Sequence, residues 1–447
     1  MILQGLLLTD PAQPPQLGWI RVDPPAAGVP GRIAEIGYGE LPSDLGPPDF
    51  GGRDRIISPA FTDAHFHVPQ VESVGADGLH LLEWLDRVIF PAEAWWGRGG
   101  AMASARTSAR RLIREGTAGF AGYLTSHAEA SRDVAMYFAR KTPMRFHLGR
   151  SAMDRNAPDE LTAEDRGRAK LSPTPSPLLP TLDVEPKQNR RFVSANPRFA
   201  VACSDELLAE IGWAVAEREK AGERVLVQTH LAETKPECEL IAGLFPDAPH
   251  YTGVYDQAGL LRDGALLAHG IYLADDELDL IRKRNAAIVH CPTANLFLQS
   301  GLFDWTRAVR DFGVRVLLGS DIAGGPDVAM PRVARSMIET AKALKLTRTG
   351  DDSATVHVPS PAEVWQLITE GNASIFEQPG KPDRFGVLEE GAHADLLVLR
   401  VPDAWRDEHL VGRLIYSWSS RLIEARVFNG QHVDPANIER TTGGSPC

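Results

Sequence analysis

Cysteine is scarce. Four residues in 447 (Cys203, Cys238, Cys291 and Cys447), with no Cys-x-x-Cys pair, give neither a disulfide framework nor a thiolate zinc site. No apolar run approaches the roughly 18 residues that a membrane-crossing helix needs, so no membrane partner is expected. Met1-Ile2-Leu3-Gln4 does not lead into the basic and then apolar stretch of a secretion signal, and the expectation is a soluble, cytoplasmic protein. Basic charge is also short, with 47 Lys and Arg against 59 Asp and Glu and a net charge of -12. Binding phosphates takes clustered Lys and Arg, so a nucleic-acid partner is disfavoured and a small neutral or cationic substrate suits the chain better. What is present is an ordinary soluble composition, 43% hydrophobic and 24% charged. The length calls for one large domain and a smaller one.

Residues 1–58 hold short β-like runs at Ile2–Leu8, Trp19–Val22, Arg32–Ile36 and Arg55–Ile57, separated by turn clusters such as Pro24-Pro25 and Pro47-Pro48. From Ser58 onward the pattern changes. The apolar run Ile56–Phe61 leads into His65 and His67, and further strand candidates follow at Ala118–Leu124, Met144–Leu148, Phe199–Cys203, Val225–Thr229, Ala265–Ala268, Ala287–His290 and Val314–Gly319. Helical stretches such as Met102–Glu115, Glu206–Glu219 and Asp276–Arg284 lie between most of them. Repeated β-α units imply a parallel sheet, and eight of them predict a TIM-like (β/α)8 barrel with its active face at the C-terminal strand ends. Asp154–Asn196 is rich in proline (Pro173, Pro175, Pro177, Pro180, Pro186), which excludes a long helix in its second half. It reads as a surface loop, either a lid over the barrel mouth or a passive insertion. Ala394–Leu399 and Arg421–Val427, with a turn at Asn429-Gly430, return to strand. The expected α/β division is therefore a barrel over 59–390 and a small β-sandwich domain built from 1–58 and 391–447, with a disordered tail at Thr441–Ser445.

His65 and His67 are two residues apart on a strand, so both leave from one face. His230 ends the run Val225–Thr229, and Asp321 ends Val316–Ser320. One histidine at a strand end is more often structural than a ligand, but four such residues at the same end of one barrel are unlikely to coincide by chance. They read as ligands of a catalytic Zn2+, which takes nitrogen and oxygen donors and keeps a position open for water. Fe2+ or Mn2+ suits the same three histidines and aspartate. A metal so held lowers the pKa of a bound water from about 15.7 toward about 7, and the second Asp321 oxygen can accept that water's proton. His290 reads as a packing or supporting residue. Gln70 supplies an amide just past His67, Arg198 a forked donor and Phe199 an aromatic face. Leu82-Glu83-Trp84-Leu85 and Phe90-Pro91-Ala92-Glu93 form a lip. A planar, hydrogen-bonding heterocycle wants this equipment.

Phe61-Thr62-Asp63-Ala64-His65-Phe66-His67, Thr229-His230, Ala268-His269-Gly270 and Gly319-Ser320-Asp321 resemble the amidohydrolase superfamily over nearly the whole chain. Two-metal members carry a modified lysine after the fourth strand. Phe199-Ala200-Val201-Ala202-Cys203 has none, so the resemblance implies the one-metal, deaminase-like branch. There the glutamate three residues past the third histidine, here Glu233, protonates a ring nitrogen while water adds at the neighbouring carbon. His269 is implied to be catalytic, orienting the water or stabilising its charge. His269-Gly270-Ile271-Tyr272-Leu273, the stretch from His290 to Leu298, Ser300-Gly301-Leu302-Phe303 and Asp321-Ile322-Ala323-Gly324-Gly325 are similar to the guanine deaminase family. That resemblance implies one zinc per subunit on His65, His67, His230 and Asp321, and a purine substrate bound by Gln70, Arg198, Phe199 and Glu233. It also implies a homodimer acting in purine catabolism. Deamination of another purine or pterin such as 8-oxoguanine, triazine hydrolysis and a catalytically silent scaffold are the alternatives. A nucleic-acid deaminase would need His-x-Glu with Pro-Cys-x-x-Cys, which Cys291-Pro292 does not supply.

Overall fold

The computed structural model describes residues 1–166, 191–348, 354–378 and 380–440. Among the described residues, fifteen strands form two sheets. Strands β1 (Ile2–Leu7), β2 (Gln16–Asp23), β3 (Arg32–Tyr38) and β4 (Phe50–Pro59) come before the barrel. The barrel strands are β5 (Phe61–His67), β6 (Thr117–Leu124), β7 (Arg145–Ala152), β8 (Arg191–Pro197), β9 (Leu226–Leu231), β10 (Leu266–His269), β11 (Ala287–His290) and β12 (Arg315–Leu318). After it come β13 (Leu396–Leu399), β14 (Ile423–Phe428) and β15 (Gln431–His432).

The eight barrel strands run in sequence order, each parallel to its neighbour. Strands β5, β6 and β7 are buried along their whole length, as strands covered on both faces must be. Side chains close the seam between β12 and β5. Asn372 Nδ2 donates to the carbonyls of Thr62 at 2.7 Å and Leu318 at 2.8 Å, and its Oδ1 accepts from Leu318 N–H at 2.9 Å. The helix Ala101–Arg114 packs on the barrel through Ala101, Ala105, Ala109, Leu112 and Ile113, a stripe at i, i+4 spacing. No helix among the described residues is long and apolar enough to cross a membrane.

The second sheet has seven strands in the order β15-β14-β13-β4-β1-β2-β3, so both ends of the chain contribute to it. It is a mixed sheet that curls back on itself. The far strand β3 hydrogen-bonds through Ile33 N–H to the Ala392 carbonyl, just ahead of β13, at 2.9 Å. Leu3, Ile20, Ile33, Ile57, Leu396 and Val427 fill the space inside. Strand β4 runs straight into β5 with only Ala60 between them.

The fourth barrel strand differs from the sequence-based expectation. It is Arg191–Pro197, and Phe199–Cys203 instead leaves the barrel through a single 3-10 turn at Ala200–Ala202. An apolar run reports burial, not conformation, and these five residues are buried in a loop. The stretch taken as one loop, Asp154–Asn196, thus holds a helical turn (Asp159–Thr162) and ends in a barrel strand. The lid reading of its Pro-rich part, 172–186, and the tail 441–447 lie outside the described residues.

Candidate active site

Alternation on β5 sends Asp63, His65 and His67 into the barrel and Phe66 out against the helices. The Nε2 atoms of His65 and His67 lie 3.1 Å apart, and His230 Nε2 from the end of β9 is 3.2 Å from that of His67. Asp321 Oδ1 is 3.3 Å from His65 Nε2 and 3.2 Å from His67 Nε2. Four ligands about 2.0 Å from a tetrahedral ion are about 3.3 Å from one another, so this spacing suits one divalent cation. The protonation states suit it as well. Burial pushes the His67 imidazole down to about 4, and burial and then the neighbouring His65 push His230 well below the usual histidine range. Both rings therefore present lone pairs. Burial works against the Asp321 carboxylate, but the His65 and His67 rings facing it hold its pKa well below the ordinary one. His230 Nδ1 donates to the Arg198 carbonyl at 2.6 Å, which aims Nε2 at the centre.

His269 gives a second possible grouping. Its ligand atom lies within 4.8 Å of those of His65, His230 and Asp321. It stands farther out, however, with Nε2 at 3.8 Å from Asp321 Oδ2 and 3.4 Å from Glu233 Oε2. The tighter ring is the one that includes His67. His269 Nδ1 faces Asn295 Oδ1 at 2.8 Å, which leaves Nε2 buried without a protein hydrogen bond.

Three strand-end residues, Ala232, His269 and Asp321, hold positive φ angles of 49°, 73° and 48°. Such backbone is costly for residues other than glycine and collects at functional sites. At Gly319 a Cβ would come within 2.5 Å of His65 Cβ, so only glycine lets β12 approach β5 here.

Glu233 follows β9 and is fixed from behind. The next helix, Lys235–Leu244, opens with a capping box of Thr234 and Glu237. Glu237 Oε2 also accepts the Glu233 N–H at 2.9 Å. Ser300 Oγ donates to Glu233 Oε1 at 2.8 Å. Burial, and then the charge of Asp321, push the Glu233 carboxyl up to about 8 against that hydrogen bond. The shift is in the direction that favours the protonated, proton-donating form.

Of the predicted site residues, all but His65, which lies beneath the others, line one cleft: His67, Gln70, Arg198, Phe199, His230, Glu233, His269 and Asp321. Leu81, Trp84, Leu85 and Leu298 supply its apolar walls. His290 stacks on Phe303 with ring centroids 4.7 Å apart and lies away from the cleft. Sequence reasoning missed Tyr123, which packs under His65, His67 and His230 at 4.8 to 5.2 Å between ring centroids. It also missed Asp63, whose carboxylate accepts Ser320 N–H at 3.0 Å and Ser320 Oγ at 2.5 Å and so ties the Asp321 strand to the histidine strand. Alternation with His65 marks Asp63 as inward-facing; nothing in the sequence marks Tyr123.

A parallel barrel that gathers histidines and a carboxylate at its C-terminal strand ends, close enough to hold one metal ion, has the layout of a barrel hydrolase. The amidohydrolase family matches residues 56–433, and the chain belongs to that family. It is 33% identical to a guanine deaminase from Escherichia coli (strain K12) over 372 residues, spanning 82% of this chain and 77% of that protein. It is 27% identical to the guanine deaminase of Mus musculus over 409 residues, spanning 85% and 83%. The crystal structure of guanine deaminase from C. acetobutylicum with bound guanine in the active site superposes with a TM-score of 0.82. The identity is 27%, and the match covers 97% of this chain and 99% of that one.

Proposed function

We propose that the chain hydrolyses guanine to xanthine and ammonia. One observation carries the reading: a single cleft joins the His and Asp ring, the buried acid Glu233 and the Arg198–Gln70 pair. The likeness to guanine deaminases along most of the chain agrees with it. His65, His67, His230 and Asp321 would hold one metal ion, and Zn2+ suits three nitrogens and one oxygen at tetrahedral spacing, with Fe2+ and Mn2+ also accommodated. When bound, the ion supplies a water acidified toward neutral pH. Asp321 Oδ1 belongs to the ring, so its Oδ2, which faces His269, accepts the proton of the attacking water. His269 Nε2 orients that water. Addition of oxygen at the amino-bearing carbon builds negative charge on the adjacent ring nitrogen, and Glu233 Oε2, the oxygen not engaged by Ser300, donates its proton there. The carboxylate left on Glu233 then takes the proton of the newly added hydroxyl and passes it to the amino group, so ammonia leaves as the C=O forms, and the proton held by Asp321 restores the acid. Arg198, Gln70 and Phe199 hold the purine plane while the apolar walls exclude water. The reading extends to a cytoplasmic homodimer acting on the free base, and light scattering on the purified protein tests the dimer.

The deciding experiment follows ammonia release from guanine by the metal-replete protein, a chelator-stripped sample and Glu233→Gln, with adenine, cytosine and a triazine in parallel. Turnover of guanine is expected to vanish on stripping and return with Zn2+. Glu233→Gln is expected to lower kcat by roughly 100- to 10,000-fold. A metal-replete protein that leaves guanine intact overturns the proposal, and whichever parallel compound reacts replaces guanine.

A further inference from the structure

We infer that Glu93 sets the hydrogen-bonding polarity of the cleft: it is a positioning residue that fixes which face of the Gln70 amide the purine meets. The inference rests on the guanine reading above. Glu93 lies in the short helix Phe90–Ala94, is fully buried and does not line the cleft. Its main-chain carbonyl accepts the Thr125 hydroxyl at 3.2 Å, which pins this helix to the end of β6. Its carboxylate accepts Arg198 Nη1 at 2.5 and 2.7 Å and Gln70 Nε2 at 3.1 Å. Phe90 of the same helix lies beneath the Arg198 guanidinium, 5.5 Å from ring centroid to Cζ.

A carboxylate paired with a guanidinium can only accept hydrogen bonds, so the Gln70 atom facing it has to be the NH2 group. The Gln70 carbonyl Oε1 is thereby turned away, and it is buried with no protein partner. Gln70 offers the ligand an acceptor, and Arg198 offers only donors. The edge that fits carries an N–H beside an acceptor. Guanine has this pair in its N1–H and O6. 2-Aminopurine carries the same amino group at C2 but has neither, and it sets a ring lone pair against the Gln70 carbonyl. A buried polar group left facing its own kind discriminates far more strongly than a change in apolar contact. With Glu93 gone, the amide is free to turn over and offer either face.

The test measures ammonia release from guanine and 2-aminopurine by the wild-type holoenzyme and by Glu93→Gln, using inhibition constants where a base is not turned over. The expected result is a rise in guanine KM of roughly 10- to 100-fold, kcat within about threefold, and at least a roughly tenfold loss of preference for guanine. A merely structural loss would weaken both bases alike. Gln70→Met keeps the Glu93–Arg198 pair and is expected to lose the same preference. The double variant should be no worse in KM than the weaker single one. A Glu93→Gln enzyme that keeps the wild-type preference within about twofold overturns the inference. So does Gln70→Met with that result, should Glu93→Gln not fold. Wild-type protein that does not act on guanine sinks the guanine reading and this inference together, whereas an active wild type with unchanged variants sinks this inference alone.

Discussion

His147, on β7, stacks on Phe376 at 5.3 Å between ring centroids and donates from Nε2 to the Ile375 carbonyl at 3.1 Å. Burial, and then the charge of Arg224, push its imidazole down to about 3. Below the ordinary histidine range the unfolded chain takes up a proton that the folded chain refuses. Its contribution is therefore intact above about pH 6.5 and is lost as pH falls toward 3, at about 1.4 kcal/mol per pH unit. His147→Gln keeps an N–H donor but cannot be protonated. Denaturant unfolding at pH 7 and pH 5 should show the variant losing about 2 kcal/mol less than wild type between the two. An equal loss in both proteins would mean that His147 titrates as freely in the fold as out of it. The same scale explains what was legible in the site. His65, His67, His230 and Asp321 are residue types whose chemistry shows through position at a strand end. Glu93 was visible only as part of a lip, because its partners lie 23 and 105 residues away and nothing local reports a buried carboxylate's contacts.

The capping box after β9 joins an element boundary to the chemistry. Glu237 Oε1 accepts the Tyr251 hydroxyl at 2.7 Å, while Oε2 takes the N–H groups of Glu233 at 2.9 Å and Thr234 at 3.1 Å. The two N–H groups can only donate, so an apolar side chain here would leave both buried without an acceptor. Glu237→Met is therefore expected to cost about 1–3 kcal/mol in stability. It should also lower kcat by about tenfold or more with a smaller change in KM, because the backbone that aims Glu233 shifts. Steady-state kinetics beside a melting curve check both, and wild-type kcat in a destabilised variant would detach the cap from catalysis. Element identity was less legible than this boundary. Strand β8 escaped because its inward residues are polar and hydrogen-bonded to neighbouring strands. Ser194 accepts Gln228 Nε2 at 2.9 Å, and Asn196 Nδ2 donates to the Gly122 carbonyl at 3.1 Å. A search for apolar runs passes over such a strand and settles on Phe199–Cys203 instead. That correction puts Arg198 just past a strand end, like the other site residues.

The whole architecture was readable as eight β-α repeats flanked by β-like termini, because parallel barrels need strands buried on both faces and such strands are apolar. How the two sheets hold together was not readable, since the joint is polar. Arg145 of β7 donates from Nε to Asp395 Oδ2 at 2.8 Å, and its Nη2 lies 2.9 Å from His393 Nδ1. Asp395 sits just ahead of β13. Its Oδ1 accepts Asn429 N–H at 2.6 Å, and its carbonyl accepts Ala60 N–H, between β4 and β5, at 2.9 Å. The Asp395 carboxylate therefore links the barrel to the C-terminal hairpin, and its main-chain carbonyl holds the joint between the sheets. Removing one partner of a buried pair costs more than the pair contributes, because the other charge stays behind. Asp395→Ala is expected to lower unfolding stability by about 3–5 kcal/mol. The folded fraction should keep the wild-type KM, since none of these groups lines the cleft. Adding Arg145→Met to that variant should recover part of the loss by removing a buried guanidinium that has lost its carboxylate. Additive losses in the double variant would show instead that Arg145 and Asp395 stabilise the joint independently, Arg145 through the Phe385 ring 4.9 Å from its Cζ and Asp395 through Asn429.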